Sequence, residues 1–395
     1  MNITIAGKNN IAIDVLENIV SRYPKANVFA VFNKNDSCVD GFQRSFKKYC
    51  KDKKIESVSL EEAYSLPNNI FISLEFDRIV NPELFENTKI YNVHFSKLPS
   101  YKGMYTSAWP ILNNEVESGV TFHYIDRGID TGDIIYQRNF LLDIDETAKS
   151  LYEKYIQHGT SLVIDNLYDI LETDPEGIRQ ENSSSSYYSK SSIDYRNIEI
   201  DLRKTAIEVK KQIDAFTFRD YQLPKIDGIE IFGCEILQNK SEKAAGSIFD
   251  SKSSLIISTI DYDIIAYKDS FDALLNYCKV GSIDGVLNTV NRFNTNEKDV
   301  NGWSPIIVAA YHGHINIVEY LVSVGADIND RNYKGTTVFM YAKNFAESSG
   351  CYDILDRLIS LGADPKLKDL KGLDVFDYIR LSNNNKLIEK LGHYL

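Results

Sequence analysis

Short apolar runs and longer amphipathic stretches alternate along the first half of the chain. Residues 2–6 alternate apolar and polar side chains and run into Gly7. Residues 28–32 (Val-Phe-Ala-Val-Phe) and 70–74 (Ile-Phe-Ile-Ser-Leu) are almost wholly apolar, as strands covered on both faces are. Residues 89–94, 120–125 and 134–140 also predict strands. Between them the spacing predicts helices over 11–21, around 41–50, over 107–113 with Pro110 near the first turn, and over 146–171. Strands alternating with helices predict an α/β fold with a mostly parallel sheet. A further helix is expected over 198–218, centred on 204–215, and short β-rich segments follow to about residue 267.

Two stretches break this rhythm. Gln180 opens a polar run with four serines at 183–186, which reads as a linker or mobile loop. The C-terminal third is repetitive. Asn301-Gly302-Trp303-Ser304-Pro305 is followed by Ala309-Ala310, Gly313-His314 and Gly325-Ala326-Asp327. Gly335 follows Gly302 by 335 − 302 = 33 residues. This pattern resembles the ankyrin repeat. Gly325-Ala326-Asp327 recurs as Gly362-Ala363-Asp364, a gap of 363 − 326 = 37, so a four-residue insertion is expected near 345–351. Residues 271–290 and 369–395 read as capping units. The division expected is 1–180, 181–268 and 269–395.

The chain has 395 residues, enough for two or three domains, with 43% hydrophobic and 25% charged residues. Its net charge of −12 weighs against a large nucleic-acid substrate, which needs a basic face. The N-terminus reads as a strand and not a leader, and no apolar run is long enough for a membrane span. Five scattered cysteines (38, 50, 234, 278, 351) without CxxC pairs point to a reducing cytoplasm, with neither a disulfide frame nor a metal cluster. No G-x-G-x-x-G follows the first strand, so nothing argues for NAD or FAD.

The candidate chemistry lies in two strings. Asn92-Val-His94-Phe-Ser96-Lys-Leu98-Pro99 leads to Gly103, and Asp126-Arg-Gly128-Ile-Asp130-Thr-Gly132-Asp133 follows. Residues two apart in a strand share a face, so Asn92 and His94 can aim at one small carbonyl. Amide, imidazole and carboxylate are the parts that acyl transfer needs. His123, mid-strand, takes a structural role by default.

At these residues the chain resembles the formyltetrahydrofolate-dependent formyltransferases. N-x-H-x-S-x-L-P-x-x-x-G and D-x-G-x-D-T-G-D carry the likeness, together with Phe76-Asp77-Arg78-Ile79-Val-Asn-Pro82 upstream. The resemblance covers roughly residues 1–180. It implies a Rossmann-like formyltransferase domain, followed by a small α+β region and the ankyrin repeats. The implied catalytic residues are Asn92, His94 and Asp130. N10-formyltetrahydrofolate is the implied co-substrate, held by Phe76, Asp77, Arg78, Ile79, Asp126, Gly128 and Asp133, with no metal.

The string Phe216-Thr-Phe218-Arg219-Asp-Tyr221-Gln-Leu-Pro224 is similar to one in sugar N-formyltransferases. It makes Arg219 and Tyr221 candidates for a nucleotide's diphosphate and base, with Lys102, Tyr105, Tyr188 and Lys190 as further substrate candidates. An ankyrin extension most resembles the bacterial enzymes that formylate dTDP-3-amino-3,6-dideoxy-D-glucose for the O-antigen of lipopolysaccharide. The expected acceptor is therefore a dTDP-amino sugar, and the resemblance also implies a homodimer. Trp303, after the repeat's turn glycine, is expected either exposed as a recognition ring or covering the edge of the preceding capping unit. The repeats would bind a protein partner, or a second nucleotide sugar through Trp303. Two alternatives stand beside this reading: a methionyl-tRNA formyltransferase relative, and an ankyrin scaffold with an inactive enzyme domain. The sequence does not distinguish a 3-amino from a 4-amino sugar, or dTDP from UDP.

Overall fold

The computed structural model describes residues 1–86, 88–382 and 385–391. Its described residues divide into two compact units, 1–248 with 257–265 and 249–256 with 266–395.

The first unit opens with β1 (Asn2–Gly7), α1 (Asn9–Arg22), β2 (Asn27–Phe32), α2 (Phe46–Lys53), β3 (Glu56–Ser57), α3 (Leu60–Tyr64) and β4 (Asn69–Leu74). After β5 (Lys89–His94) come the two-residue β6 (Lys102–Gly103), the short α4 (Trp109–Leu112), β7 (Glu117–Tyr124) and β8 (Ile134–Leu141). The large sheet has the order β3-β2-β1-β4-β5-β7-β8. β3, β2, β1, β4 and β5 run parallel, while β7 and β8 are antiparallel to their neighbours, so the sheet is mixed. The chain winds from β1 to one side, then returns to β4 on the other. Crevices at such a reversal, beyond the carboxyl ends of the strands, are where open α/β sheets hold ligands.

The sequence pattern places the longer of these elements but not their ends, and it misses the short β3, α3 and β6. α2 starts at Phe46, since the Ser45 hydroxyl accepts from Lys48 N and caps it there. The long helix expected over 146–171 is two, α5 (Ala148–Asp165) and α6 (Leu167–Glu172), parted at Asn166. α5 packs Leu151, Tyr155, Leu162 and Val163 into the same core as Ile11, Val15 and Ile19 of α1.

The serine-rich run is not a free linker. Tyr187–Tyr188 forms β9, which pairs in parallel with β6, and Ser186 O accepts from Lys102 N at 2.9 Å. α7 (Ala206–Phe216) begins eight residues later than the helix expected from 198. The Glu208 carboxylate reaches back to Thr205 N at 3.0 Å and fixes the start there. β10 (Lys225–Ile226) and β11 (Ile229–Lys240) form an antiparallel pair, followed by β12 (Ile248–Asp250), β13 (Ser254–Ser258) and β14 (Tyr262–Lys268).

Paired helices build the second unit. α8 (Phe271–Val280) and α9 (Ile283–Leu287) form the first capping unit. α10 (Pro305–Tyr311), α11 (Ile315–Ser323), α12 (Val338–Ser349) and α13 (Asp353–Ser360) form the repeats. The inserted residues lengthen α12 to 12 residues, against seven in α10, and Gly350 closes it in the left-handed conformation. α14 (Val375–Ser382) and α15 (Asn385–Leu391) occupy the second capping unit, whose residues 383, 384 and 392–395 lie outside the described residues. Gly302 sits at φ 81°, where a side chain would strike the backbone of Tyr333.

Candidate active site

Sheet register assembles the site. Asn92 and His94 lie two apart on β5 and share a face. In the antiparallel neighbour β7, His123 stands opposite Asn92 and Thr121 opposite His94. Between β7 and β8 the chain loops out and returns, bringing Asp130 over these residues. Asp130 holds φ at 53°, the left-handed region that a non-glycine residue enters at a cost of roughly 1–2 kcal/mol. The loop is tied down from behind by Gln180, whose Nε2 donates to the carbonyls of Asp130 (2.9 Å) and Gly132 (2.7 Å).

Around the Asp130 carboxylate four groups converge. Oδ2 accepts from Gly103 N at 2.9 Å and lies 3.3 Å from His94 Nδ1. Oδ1 lies 3.5 Å from Asn92 Nδ2 and 3.7 Å from His123 Nε2. Burial works against ionisation of Asp130. The charge of His94, with the Gly103 N–H, outweighs it and holds the carboxyl far below the usual range.

His94 is 7% exposed, and its Nε2 donates to the Tyr101 carbonyl at 2.8 Å. Tyr101 is held in turn by Ser186 Oγ on its N–H (2.8 Å), and its hydroxyl donates to Glu115 (2.5 Å). Tyr101, Gly103 and Tyr105 all have positive φ, at 60°, 91° and 62°. Such strain in bulky residues persists only where the surroundings enforce it. Here β9 does so, since a side chain on Gly103 would run into the Tyr188 carbonyl.

His123, expected to be structural, is part of this cluster. Its Nδ1 donates to Tyr124 O at 2.7 Å, leaving Nε2 to accept from Asn92 Nδ2 at 3.1 Å. Strand pairing was the missing signal, because one sequence does not reveal which β7 residue lies opposite Asn92.

The residues proposed for folate fall in two places. The Arg78 guanidinium lies over the Phe76 ring at 4.6 Å and donates to Phe32 O, and its Nε, 3.7 Å from Asp77 Oδ1, is buried without a hydrogen bond. Asp77 accepts from Lys34 N at 2.8 Å. Ile79 is 82% exposed, an apolar side chain in water. Asp126 is occupied in its own turn, accepting from Gly128 N (3.0 Å) and Thr131 Oγ1 (2.6 Å), while Asp133 is exposed. Beside this turn Gln180 Oε1 is buried without a partner. An exposed apolar side chain and unsatisfied polar atoms on two loops fit a flat heterocycle with polar edges.

The substrate candidates are scattered. Lys102 is 6% exposed, and Tyr105 donates its hydroxyl to the carbonyl of the exposed Lys190 at 3.1 Å. Tyr188 stacks on Trp109 at 4.0 Å, which makes its ring a packing element of the loop. Arg219 is half-buried. Tyr221 is 56% exposed, its ring against Phe42 (5.6 Å) and Phe218 (4.6 Å). In the repeat unit Trp303 is half-buried between Tyr311 (5.2 Å) and Tyr341 (4.8 Å) of α10 and α12.

Comparison with known proteins decides the family. Residues 3–167 match the formyl transferase model and 274–369 the ankyrin repeats model. An N-formyltransferase from Helicobacter canadensis, solved with folinic acid and dTDP-3-aminofucose, is 44% identical, with a TM-score of 0.63. The match covers 67% of this chain and 98% of that one. The chain belongs to the folate-dependent N-formyltransferases. WlaRD, a sugar 3N-formyl transferase solved with dTDP and 5-N-formyl-THF, is 41% identical over 68% of this chain and 98% of its own, with a TM-score of 0.63. Methionyl-tRNA formyltransferase of Ureaplasma urealyticum is 26% identical over 67% of this chain and 90% of its own. The formyltransferase thus uses formyltetrahydrofolate as co-substrate.

Proposed function

We propose that the enzyme transfers the formyl group of N10-formyltetrahydrofolate to the amino group of a dTDP-linked amino-dideoxy sugar, dTDP-3-amino-3,6-dideoxy-D-glucose being the acceptor to try first. The observation that carries this reading is the likeness, above 40% identity over nearly the whole of each relative, to two enzymes solved with dTDP or a dTDP-amino sugar beside a folate. The net charge of −12 speaks against a tRNA acceptor. The same reading assigns the product to O-antigen synthesis in the cytoplasm, the working form to a homodimer, and the parts 1–180, 181–268 and 269–395 to chemistry, acceptor contact with dimerisation, and partner binding.

Within this reading the donor supplies an activated formyl carbon, held by the 76–79 loop and the 126–133 turn. Asn92 faces the formyl oxygen as negative charge develops there, and the His94 ring, held between the Tyr101 carbonyl and Asp130, adds positive charge beside it when protonated. One Asn92 N–H is committed to His123. The other makes only the long 3.5 Å approach to Asp130, so it is the one that turns to the oxygen. Asp130, held ionised, is the base within reach of the amine's proton and keeps His94 in place. Arg219 and Tyr221 would take the diphosphate and base, with Lys102, Tyr105, Tyr188 and Lys190 shaping the loops around them, and the repeats would hold a partner protein or, at Trp303, a second nucleotide sugar. Offering purified enzyme and formyl donor a panel of dTDP-3-amino, dTDP-4-amino and UDP-4-amino sugars, with initiator Met-tRNA beside them, tests the assignment. Turnover confined to tRNA would overturn it.

A further inference from the structure

A second buried polar cluster lies one strand away from His94, and the chemistry above does not use it. The register pairs Gly7 with Leu74 and Leu74 with Val93, so the residues that follow, Lys8, Glu75 and His94, leave three adjacent strands at one level. Strands in a sheet lie about 4.8 Å apart, which sets the backbone of Glu75 beside that of His94. This is also the point where the strand order reverses.

Glu75 is held in a deliberate way. Its backbone has φ at 57° and its side chain is only 12% exposed. Tyr152 of α5 donates its hydroxyl to the carboxylate at 2.9 Å, Asn9 Nδ2 donates to it at 3.2 Å, and Lys8 Nζ lies 3.9 Å away. Asn9 Nδ2 also meets Tyr152 Oη at 2.7 Å. Next to it, Asn33 donates to the Glu75 carbonyl while its own Oδ1 is buried with no partner. Burial pushes the Glu75 carboxyl upward, against the pull of Lys8, Tyr152 and Asn9. The carboxylate is kept out of water at the carboxyl end of the strand next to β5, on the face that carries α1 and α5, and it has lone pairs beyond those that Tyr152 and Asn9 use.

An aromatic wall connects this cluster to the surface. Tyr152 packs on Phe218 (5.5 Å) and Phe42 (6.3 Å), and both pack on the exposed Tyr221. The wall therefore runs from a ring able to stack a base, past Tyr152, to a carboxylate at the end of the strand next to that of His94.

We propose that Glu75 is the acceptor-recognition residue of this enzyme, its carboxylate accepting a hydrogen bond from the sugar hydroxyl adjacent to the reacting amine, with Tyr152 and Asn9 holding it in place. The inference rests on the amino-sugar reading and names the contact that selects the sugar. A hydrogen bond to a charged group contributes about 1.5–3 kcal/mol, which is roughly 10- to 150-fold in affinity.

The test compares wild type, Glu75→Gln and Tyr152→Phe with the preferred dTDP-amino sugar and with its analogue lacking the neighbouring hydroxyl. In wild type the analogue should raise KM by roughly 10- to 100-fold. Glu75→Gln should raise KM for the natural acceptor to a similar extent, leave KM for the folate donor unchanged, and treat the two acceptors alike. Tyr152→Phe should show the same pattern in weaker form. Should Glu75→Gln fail to fold, the Tyr152→Phe comparison decides. Unchanged acceptor KM and retained discrimination in the variants would overturn the inference while leaving the amino-sugar reading intact. Failure of the wild type to formylate any amino-sugar nucleotide would overturn both.

Discussion

His94 Nδ1 lies 3.3 Å from Asp130 Oδ2, and its other ring nitrogen donates to the Tyr101 carbonyl. A carbonyl only accepts, so Nε2 carries a proton. Nδ1 then attracts the carboxylate only when it is protonated too. Asp130→Asn removes that attraction and the base together. It should lower kcat by roughly 10²- to 10⁴-fold with KM for the folate nearly unchanged. Steady-state kinetics on folded protein checks this, and a loss below threefold would show that the pair does not act in turnover.

His123 acts through Asn92. Removing its ring frees the Asn92 N–H that points away from the proposed oxygen site, and the amide can then rotate. His123→Ala should reduce kcat by about 10- to 100-fold, less than Asn92→Ala, and the double variant should lose less than the product of the two. Strict multiplicativity would place His123 outside the unit.

Gly103 links the Ser-rich run to the catalytic carboxylate. It needs φ 91° and has no room beyond its α-carbon, because of Tyr188. Gly103→Ala should displace its N–H from Asp130 and lower both kcat and thermal stability, the latter by roughly 1–3 kcal/mol. Parallel thermal melts and rate measurements on this variant would show whether both fall.

The depressed carboxyl of Asp130 links stability to pH with a definite sign. Its folded-state pKa lies below the unfolded one, so its stabilising contribution is present above the unfolded value near 3.8 and fades as pH falls through the folded value. The difference in Tm between wild type and Asp130→Asn should be full at pH 5 and shrink below pH 4. A difference that grows on acidification would contradict the assignment.

Trp303→Ala should destabilise the repeat unit by about 2–3 kcal/mol, since the ring fills a half-buried place between Tyr311 and Tyr341. Chemical denaturation of the full chain, followed by circular dichroism, would show an earlier transition.

Much of this was legible in the residues themselves. The two-residue spacing of Asn92 and His94 predicted a shared face, and the 33-residue step from Gly302 to Gly335 predicted the repeat. Other features depend on pairing between distant segments. Nothing local places His123 opposite Asn92, Leu74 beside Val93, or Tyr187 against Lys102; these are register facts. Helix starts were missed where a cap decided them, as at Ser45 and Thr205. The serine run read as a linker because its composition is that of one, although the partners that order it lie some 85 residues upstream.

Formyl transfer to a dTDP-amino sugar is the reaction proposed for the Asn92, His94 and Asp130 constellation. Its most direct test is release of tetrahydrofolate, followed by absorbance, when wild type and Asn92→Ala are given N10-formyltetrahydrofolate and dTDP-3-amino-3,6-dideoxy-D-glucose. Wild type should turn over, with formation of the N-formyl sugar, and Asn92→Ala should lose roughly 10²- to 10³-fold. Equal rates for the two proteins, or no formylated product from any dTDP-amino sugar, would contradict it.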